Sequence, residues 1–169
     1  MVMIKPITAD GAATFREVRL RALFDSPTAF GATYASESQF SDADWERRAA
    51  QWNGERSTAY LAWDASEPCG IVAGFVDVED PRVAHLVSMW VAPTHRRHGI
   101  GRLLVNAVIQ WAATKQAHSL RLHVTSSNTS AIQFYGRLGF TMTGRTERYL
   151  NDASLVEYEM SRAIECGDS

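Results

Sequence analysis

A chain of 169 residues that is 46% hydrophobic and 21% charged has the size of one domain and an ordinary globular composition, which excludes a disordered or fibrous protein. Its 17 Lys and Arg against 19 Asp and Glu leave a formal charge of −2, so no global field draws it to nucleic acid or to an anionic membrane. Its apolar stretches are too short to span a bilayer, Cys69 and Cys166 are too few for a disulfide framework, and the start at Met1 lacks an apolar signal core; a cytoplasmic protein is expected.

The apolar start Met3, Ile4 and Ile7 predicts a first strand. Asp10 is positioned to cap a helix in which Phe15, Val18, Leu20, Leu23 and Phe24 recur at helical spacing until Ser26-Pro27 ends it. Pro27 to Phe40 reads as loop, and Ser41-Asp-Ala-Asp44 resembles a capping box, with Asp in place of Glu, opening a second helix through Trp45 and Trp52. The period then changes. Ala59 to Trp63, Gly70 to Val78 and Val83 to Val91 are rich in β-branched and aromatic residues and read as three successive antiparallel strands. Gly99 to Gln116 returns to helix, with an apolar stripe of Leu103, Leu104, Ala107, Val108, Trp111 and Ala112. Leu120 to Val124 alternates as a half-buried strand, and Ala131 to Leu138 is a short helix closed by Gly139 as a left-handed cap. Phe140 to Arg148 and Leu155 to Met160 form a last strand pair turned through Asn151-Asp152, before a polar tail from Glu165 to Ser169 expected to fray. The order βααβββαβαββ predicts one α/β (α+β) domain, residues 1–169, with a mixed sheet.

The segment from Met89 to Leu104 carries the most chemistry. A strand runs into a loop that Pro93 keeps from continuing as sheet, and a helix opens at paired glycines. That geometry aims several backbone N–H groups, backed by the helix dipole, at one spot. Gly99 and Gly101 lack the side chains that would hold an anion off the backbone. Arg96, Arg97 and Arg102 crowd positive charge where the dipole opposes it, a conflict that a bound anion resolves. The alternative is a surface turn merely shaped by glycines and arginines; strand, Arg-x-x-Gly-x-Gly and amphipathic helix together favour a phosphate site. Leu104 stands where a dinucleotide loop needs its third glycine, and no Gly-Lys-Ser/Thr is present, which excludes those two phosphate motifs.

Arg96-Arg-His-Gly-Ile-Gly101 resembles the Arg/Gln-x-x-Gly-x-Gly/Ala loop with which the GNAT superfamily of N-acetyltransferases holds the pyrophosphate of acetyl-CoA. Asn128-Thr-Ser-Ala-Ile-Gln-Phe-Tyr-Gly-Arg-Leu-Gly-Phe140 resembles that family's second signature. With their strands the two motifs cover about residues 83 to 142, and the element order matches over nearly the whole chain. The resemblance implies a mostly antiparallel mixed sheet flanked by helices, with a splayed parallel strand pair holding the cofactor. It implies acetyl-CoA as cosubstrate and direct transfer, in a ternary complex, to a primary amine of a small molecule or peptide; a CoA- or acyl-CoA-binding module without turnover is the alternative. Position by position, it implies that backbone groups of Met89 and Val91 pair with pantetheine. Arg97, His98, Gly99, Ile100, Gly101 and Arg102 would supply N–H groups to the pyrophosphate, and Arg96 or Arg102 would reach the 3′-phosphate. Asn128 would contact the pantetheine or hold the splayed strand, and Tyr135 would face the sulfur. A homodimer through the C-terminal strands is a further expectation from the resemblance alone.

Tyr135 follows Asn128 by seven positions, so both project from about the same side of a helix, and its hydroxyl suits a general acid for the departing thiolate. The competing reading is a core Tyr beside Phe134. For the base, His123 lies on the polar side of its strand with Arg121 and Thr125, and its unperturbed pKa of ~6.5 suits proton acceptance near neutrality. It precedes Tyr135 by twelve positions, the spacing at which ribosomal-protein alanine acetyltransferases carry a Glu proposed as base; a solvated strand His is the alternative. Lesser candidates are Ser88 holding a water, His85, Asp77 and Glu79 on the acceptor side, and Glu37 as the partner of a cationic amine. No metal-ligand spacing is present, so no metal is expected. Arg19 to Tyr34 is expected to wall the acceptor cleft, with Tyr34, Glu37, Trp45, Arg145 and Tyr149 as candidate wall residues. A polyamine, an amino acid, an aminated antibiotic and a protein N-terminus all remain open as acceptors.

Overall fold

The computed structural model describes residues 1–150 and 152–165; Asn151 of the expected last turn, Cys166 and the tail beyond it lie outside the described residues. The elements run β1 (Val2–Pro6), α1 (Ala12–Asp25), α2 (Tyr34–Glu37), α3 (Asp42–Gln51), β2 (Ser57–Asp64), β3 (Glu67–Val76), β4 (Val83–Val91), α4 (Ile100–Thr114), β5 (Ser119–Thr125), α5 (Thr129–Arg137), β6 (Thr141–Arg148) and β7 (Val156–Ala163). The strands form one seven-stranded sheet in the order β1-β2-β3-β4-β5-β7-β6. Every pairing is antiparallel except β4 with β5.

Local chemistry accounts for most boundaries. Ser41 and Asp44 make the expected reciprocal cap, Asp44 N–H donating to Ser41 Oγ at 3.1 Å and Ser41 N–H to Asp44 Oδ2 at 2.9 Å. Asp10 does not cap α1: it sits in a 3₁₀ turn, Ala9–Gly11, and Gly11 takes the cap position without a side-chain bond. β3 stops two residues short of Val78 because the Asp77 carboxylate accepts from the backbone of Glu79 and Asp80 and turns the chain. The stretch from Pro27 to Phe40 is not all loop, since Thr33 Oγ1 accepts from Ser36 N–H and caps the one-turn helix α2. A single turn has no periodicity to betray it.

Two helical layers cover the sheet. A Cβ on Gly70 or Gly74 would come within 3.0 Å of Leu104 Cδ1 or 2.8 Å of Val108 Cγ1, so this face of β3 lies against α4 with no room for a side chain. The alternate residues face the other way. Trp90, in register with Ile71, donates its Nε1–H to Asp25 of α1 at 2.9 Å, and the Phe15 and Trp45 rings seal α1 to α3 edge to face at 5.4 Å. By the same alternation Leu120, Leu122 and Val124 share the α4 face, leaving Arg121, His123 and Thr125 on the α1 face.

The central irregularity positions everything that follows. β4 and β5 pair only from Val83 to His85 against Ser119 to Arg121, and beyond those residues they part. On its other side β4 slips register against β3, from Ala73↔Val87 to Ile71↔Trp90, so Ser88 and Met89 together oppose one residue, Val72. Ser88 takes φ +59° there, a conformation that costs a non-glycine residue about 1–3 kcal/mol.

Candidate active site

The gap between β4 and β5 is a cleft of about 80 Å³, partly open to solvent, whose walls include Ser88 and Met89, His123 and Thr125, and Asn128, Tyr135 and Glu157. Ala92 N–H donates back to Cys69 of β3, so the preceding carbonyl, that of Val91, points away from β3. Arg96 fills that carbonyl through Nε at 2.9 Å and reaches Asp25 Oδ2 through Nη2 at 2.6 Å. Burial raises the Asp25 pKa, but the bonds from Trp90, Ser26 and Arg96 outweigh it and hold the carboxyl below its ordinary value. Arg96 thus ties the loop to α1, while Arg97 and Arg102 are exposed and make no ion pair among the described residues.

Beside Met89, a lining residue of the cleft, the loop from Arg97 to Arg102 enters α4. Arg97 at φ +66° and Gly99 at φ +81° curl the backbone. The first intrahelical bond of α4 is Leu103 N–H to Gly99 O, which leaves the amides of Gly99, Ile100, Gly101 and Arg102 without an acceptor among the described residues. His98 is exposed on the same loop. The two glycines do different work. A Cβ on Gly99 meets nothing within 4 Å, so the left-handed backbone is what requires it. One on Gly101 would come within 3.0 Å of both Met89 Cε and Phe134 Cζ, so the close seating of α4 on β4 and α5 requires that residue. Packing thus supplies a reason for Gly101 besides the expected approach of an anion.

Lining the cleft itself is α5. Asn128 Oδ1 accepts from Ala131 N–H at 3.1 Å and caps the helix, so the side chain is engaged in holding the turn out of β5. The helix closes with Phe140 N–H on Tyr135 O, Gly139 N–H on Gly136 O and Gly139 at φ +91°, a Schellman end. That closure fixes Tyr135, whose ring lies edge to face with Phe134 at 5.2 Å and Phe140 at 5.7 Å. Tyr135 is 8% exposed, and burial pushes its hydroxyl pKa far above the ordinary value, so it is a proton donor at neutral pH. His123 sits across the cleft with Nε2 3.6 Å from Glu159 Oε2, beyond hydrogen-bond length; Glu159 itself accepts from Thr143 Oγ1 at 3.0 Å.

Several candidates are committed elsewhere. Glu37 is 4% exposed and gripped by Arg19 through Nε at 3.0 Å and Nη2 at 3.2 Å and by Arg48 at 2.8 Å, so it is no partner for an incoming amine. Burial raises its pKa, and the two arginines outweigh burial to leave it lowered. The third arm of Arg19, Nη1, donates to Ser88 Oγ at 2.9 Å, clamping the β4 bulge from behind. The apolar spacing of α1 hints at the burial of Arg19, but nothing in the sequence pairs it with Ser88, 69 residues away. Trp45 is core, and Tyr149 is buried with its hydroxyl donating to the carbonyls of Pro27 and Phe30. Tyr34 packs edge to face with Phe24 at 5.5 Å along the outer side of α1. His85 bonds Asp77 at 2.8 Å and stacks on Phe75, at the end where β4 and β5 are still paired. Among the described residues no cluster of His, Cys, Asp and Glu is arranged to hold a metal, and no helix is long and apolar enough to cross a membrane.

Residues 20–140 match the model of the acetyltransferase (GNAT) family. The chain belongs to the GNAT acetyltransferase family. The streptothricin acetyltransferase of Streptomyces lavendulae is 38% identical to this GNAT chain over 77 residues, 45% of this chain and 41% of that protein. The chain thus spans less than half the length of that curated relative. Among solved structures, yncA of Salmonella typhimurium with its cofactor acetyl-CoA superposes with a TM-score of 0.81 at 16% identity, covering 100% of this chain and 97% of that one. Spermidine N-acetyltransferase from Vibrio cholerae, in complex with CoA and spermine, superposes with a TM-score of 0.77 at 17% identity over 96% and 95% of the two chains. At those identities the structural likeness shows the GNAT fold alone: a mixed, mostly antiparallel sheet, one parallel pair and flanking helices.

Proposed function

We propose that this GNAT chain is an N-acetyltransferase that moves the acetyl group of acetyl-CoA directly to a primary amine of a small molecule or peptide in a ternary complex. One observation carries the reading: a cleft between parting strands, lined by a buried, protonated tyrosine, lies beside a helix start with four unaccepted amides, where Gly101 packs against the lining residue Met89. These groups fit CoA. The amides of Gly99 to Arg102, with the exposed guanidinium groups of Arg97 and Arg102, suit a pyrophosphate, and the edge of β4 at Met89 and Val91, where it no longer pairs with β5, suits an amide-bearing arm once Arg96 releases the Val91 carbonyl. Bound there, acetyl-CoA supplies an activated acyl group and a thiol leaving group.

The chain's own residues then divide the proton traffic. His123 Nε2 accepts a proton from the incoming ammonium before attack or from the nitrogen as it attacks, with Glu159 Oε2 3.6 Å away. Tyr135, protonated at neutral pH, gives its proton to the departing sulfur as the carbon–sulfur bond breaks. Asn128 keeps α5, and with it Tyr135, at the cleft by capping the helix. The cytoplasm and a homodimer through the C-terminal strands belong to the same proposal; buried, unoxidised Cys69 suits a reducing compartment, and β6 lies at the sheet edge with every residue exposed.

The test is incubation with acetyl-CoA and a panel of primary amines, following thiol release and the mass gain of the amine. Amine-dependent thiol release with a matching acetylated product is the expected result. Tight acetyl-CoA binding without turnover on any amine would replace the enzyme with a CoA-binding module.

A further inference from the structure

The acceptor side of the cleft contains a polar row that the acetyl-transfer chemistry leaves unused. Thr125 on β5, Glu157 on β7 and Glu147 on β6 stand in register across three neighbouring strands, Thr125 opposite Glu157 and Glu157 opposite Glu147. Strand alternation puts all three on the face that presents His123, and Thr125, Glu157 and His123 line the cleft together. Thr125 is 3% exposed, and its hydroxyl has no hydrogen-bond partner. Leaving a buried hydroxyl unbonded is costly to a fold and marks a place where a ligand donor is missing.

Beside it stand two carboxylates, Glu157 half-buried and Glu147 exposed. Like charges directly opposite on paired strands repel. Neither Glu147 nor Glu157 makes an ion pair with Lys or Arg among the described residues, although Arg121 shares the β5 face and Arg145 lies in the β6 bulge. Burial raises the pKa of Glu157, His123 opposes the shift and Glu147 adds to it. Two facing carboxylates, an orphan hydroxyl and a cleft that opens onto them call for a cation with N–H donors.

We propose that the row Thr125, Glu157 and Glu147 binds a second cationic nitrogen of the acceptor, making alkyl diamines and longer polyamines the favoured substrate class. The inference rests on the acetyl-transfer reading of the same cleft. His123 and Glu157 are diagonal neighbours on adjacent strands, about 7–8 Å apart, the span of a short methylene chain between two nitrogens. The distal ammonium takes the carboxylates and the Thr125 hydroxyl. The near nitrogen forms the bond to the acyl carbon as the carbon–sulfur bond breaks, losing its proton to His123 while the sulfur gains one from Tyr135.

The experiment compares 1,4-diaminobutane with n-butylamine at saturating acetyl-CoA, using the full chain, and in parallel titrates both amines calorimetrically into the protein with CoA. The diamine should be favoured about tenfold or more in kcat/KM and in affinity, the scale of hydrogen bonds to a charged group. Glu157→Gln should collapse the diamine-to-monoamine ratio toward one, and Thr125→Val should lower it part of the way. Equal handling of the two amines by the wild-type protein, or an equal loss for both in Glu157→Gln, overturns the proposal. Absence of thiol release with any amine sinks the enzymatic reading alone, because tighter diamine binding in the calorimeter still upholds the cation site and equal binding still refutes it.

Discussion

The two ends of the cleft are built by opposite means. The proposed anion end, from Val91 to Arg102, is a dozen consecutive residues whose working groups are backbone amides that a positive φ at Arg97 and Gly99 turns outward. The proposed acceptor end is made of side chains on β4, β5 and β7, braced from behind by a buried cluster from α1, α2 and α3 and brought together by packing alone. A site made by contiguous backbone tolerates changes of side chain and fails when a glycine is lost. A site made by distant charges fails when one member of a buried pair is removed, because its partner is left charged and dry.

The largest effect should therefore come from the acceptor end. Glu37→Ala leaves Arg19 buried and unpaired and releases the clamp behind Ser88, and it should cost about 3–5 kcal/mol in urea denaturation. A loss below about 1 kcal/mol would mean that the cluster does not brace the bulge. Next is Tyr135→Phe, which keeps the ring contacts to Phe134 and Phe140 but removes the proton. Turnover should fall about 10²-fold with acetyl-CoA affinity almost unchanged; identical rates would remove Tyr135 from the chemistry.

The glycines sharpen the contrast. Gly99→Ala should cost about 1–2 kcal/mol through backbone strain alone. Gly101→Ala, in ordinary helical backbone, should cost about 1–3 kcal/mol through crowding of Met89 and Phe134. Adding Met89→Ala should rescue the second variant in part and the first not at all, and equal rescue of both by that change would refute the separate reasons.

The smallest effect concerns pH. Because the folded pKa of Glu157 lies above its unfolded value of 4.5, the native state binds the proton more tightly, and stability falls as pH rises through that region. Glu157→Gln should therefore melt slightly higher than wild type at pH 7, with the gap closing below pH 4.5; a lower melting temperature at pH 7 would show that the carboxylate is paired after all.

Nearly every strand and the three longer helices were legible in the sequence, because each carries a period of its own and several carry a cap, as Ser41 with Asp44 and Gly139 after α5 do. The anion loop was legible for the same reason, its chemistry being local. What was not legible depends on distance along the chain. Glu37 has the spacing of an exposed loop carboxylate, and only the fold shows two arginines around it. The slip at Ser88 needs the β3 register to be seen, and the packing of Gly101 against Met89 and Phe134 needs the tertiary fold. Nor does the sequence pair Arg96 with Asp25, 71 residues earlier.

The central claim is that the parted strands and the start of α4 form one slot for acetyl-CoA. Calorimetric titration with acetyl-CoA, and then with adenosine 3′,5′-diphosphate, tests it without any choice of amine. The account predicts micromolar binding of the whole cosubstrate and much weaker binding of the fragment, because β4 and α5 would grip only the arm that the fragment lacks. Equal affinity for the two would confine the site to the phosphate loop, and no binding of either would contradict the account at its base.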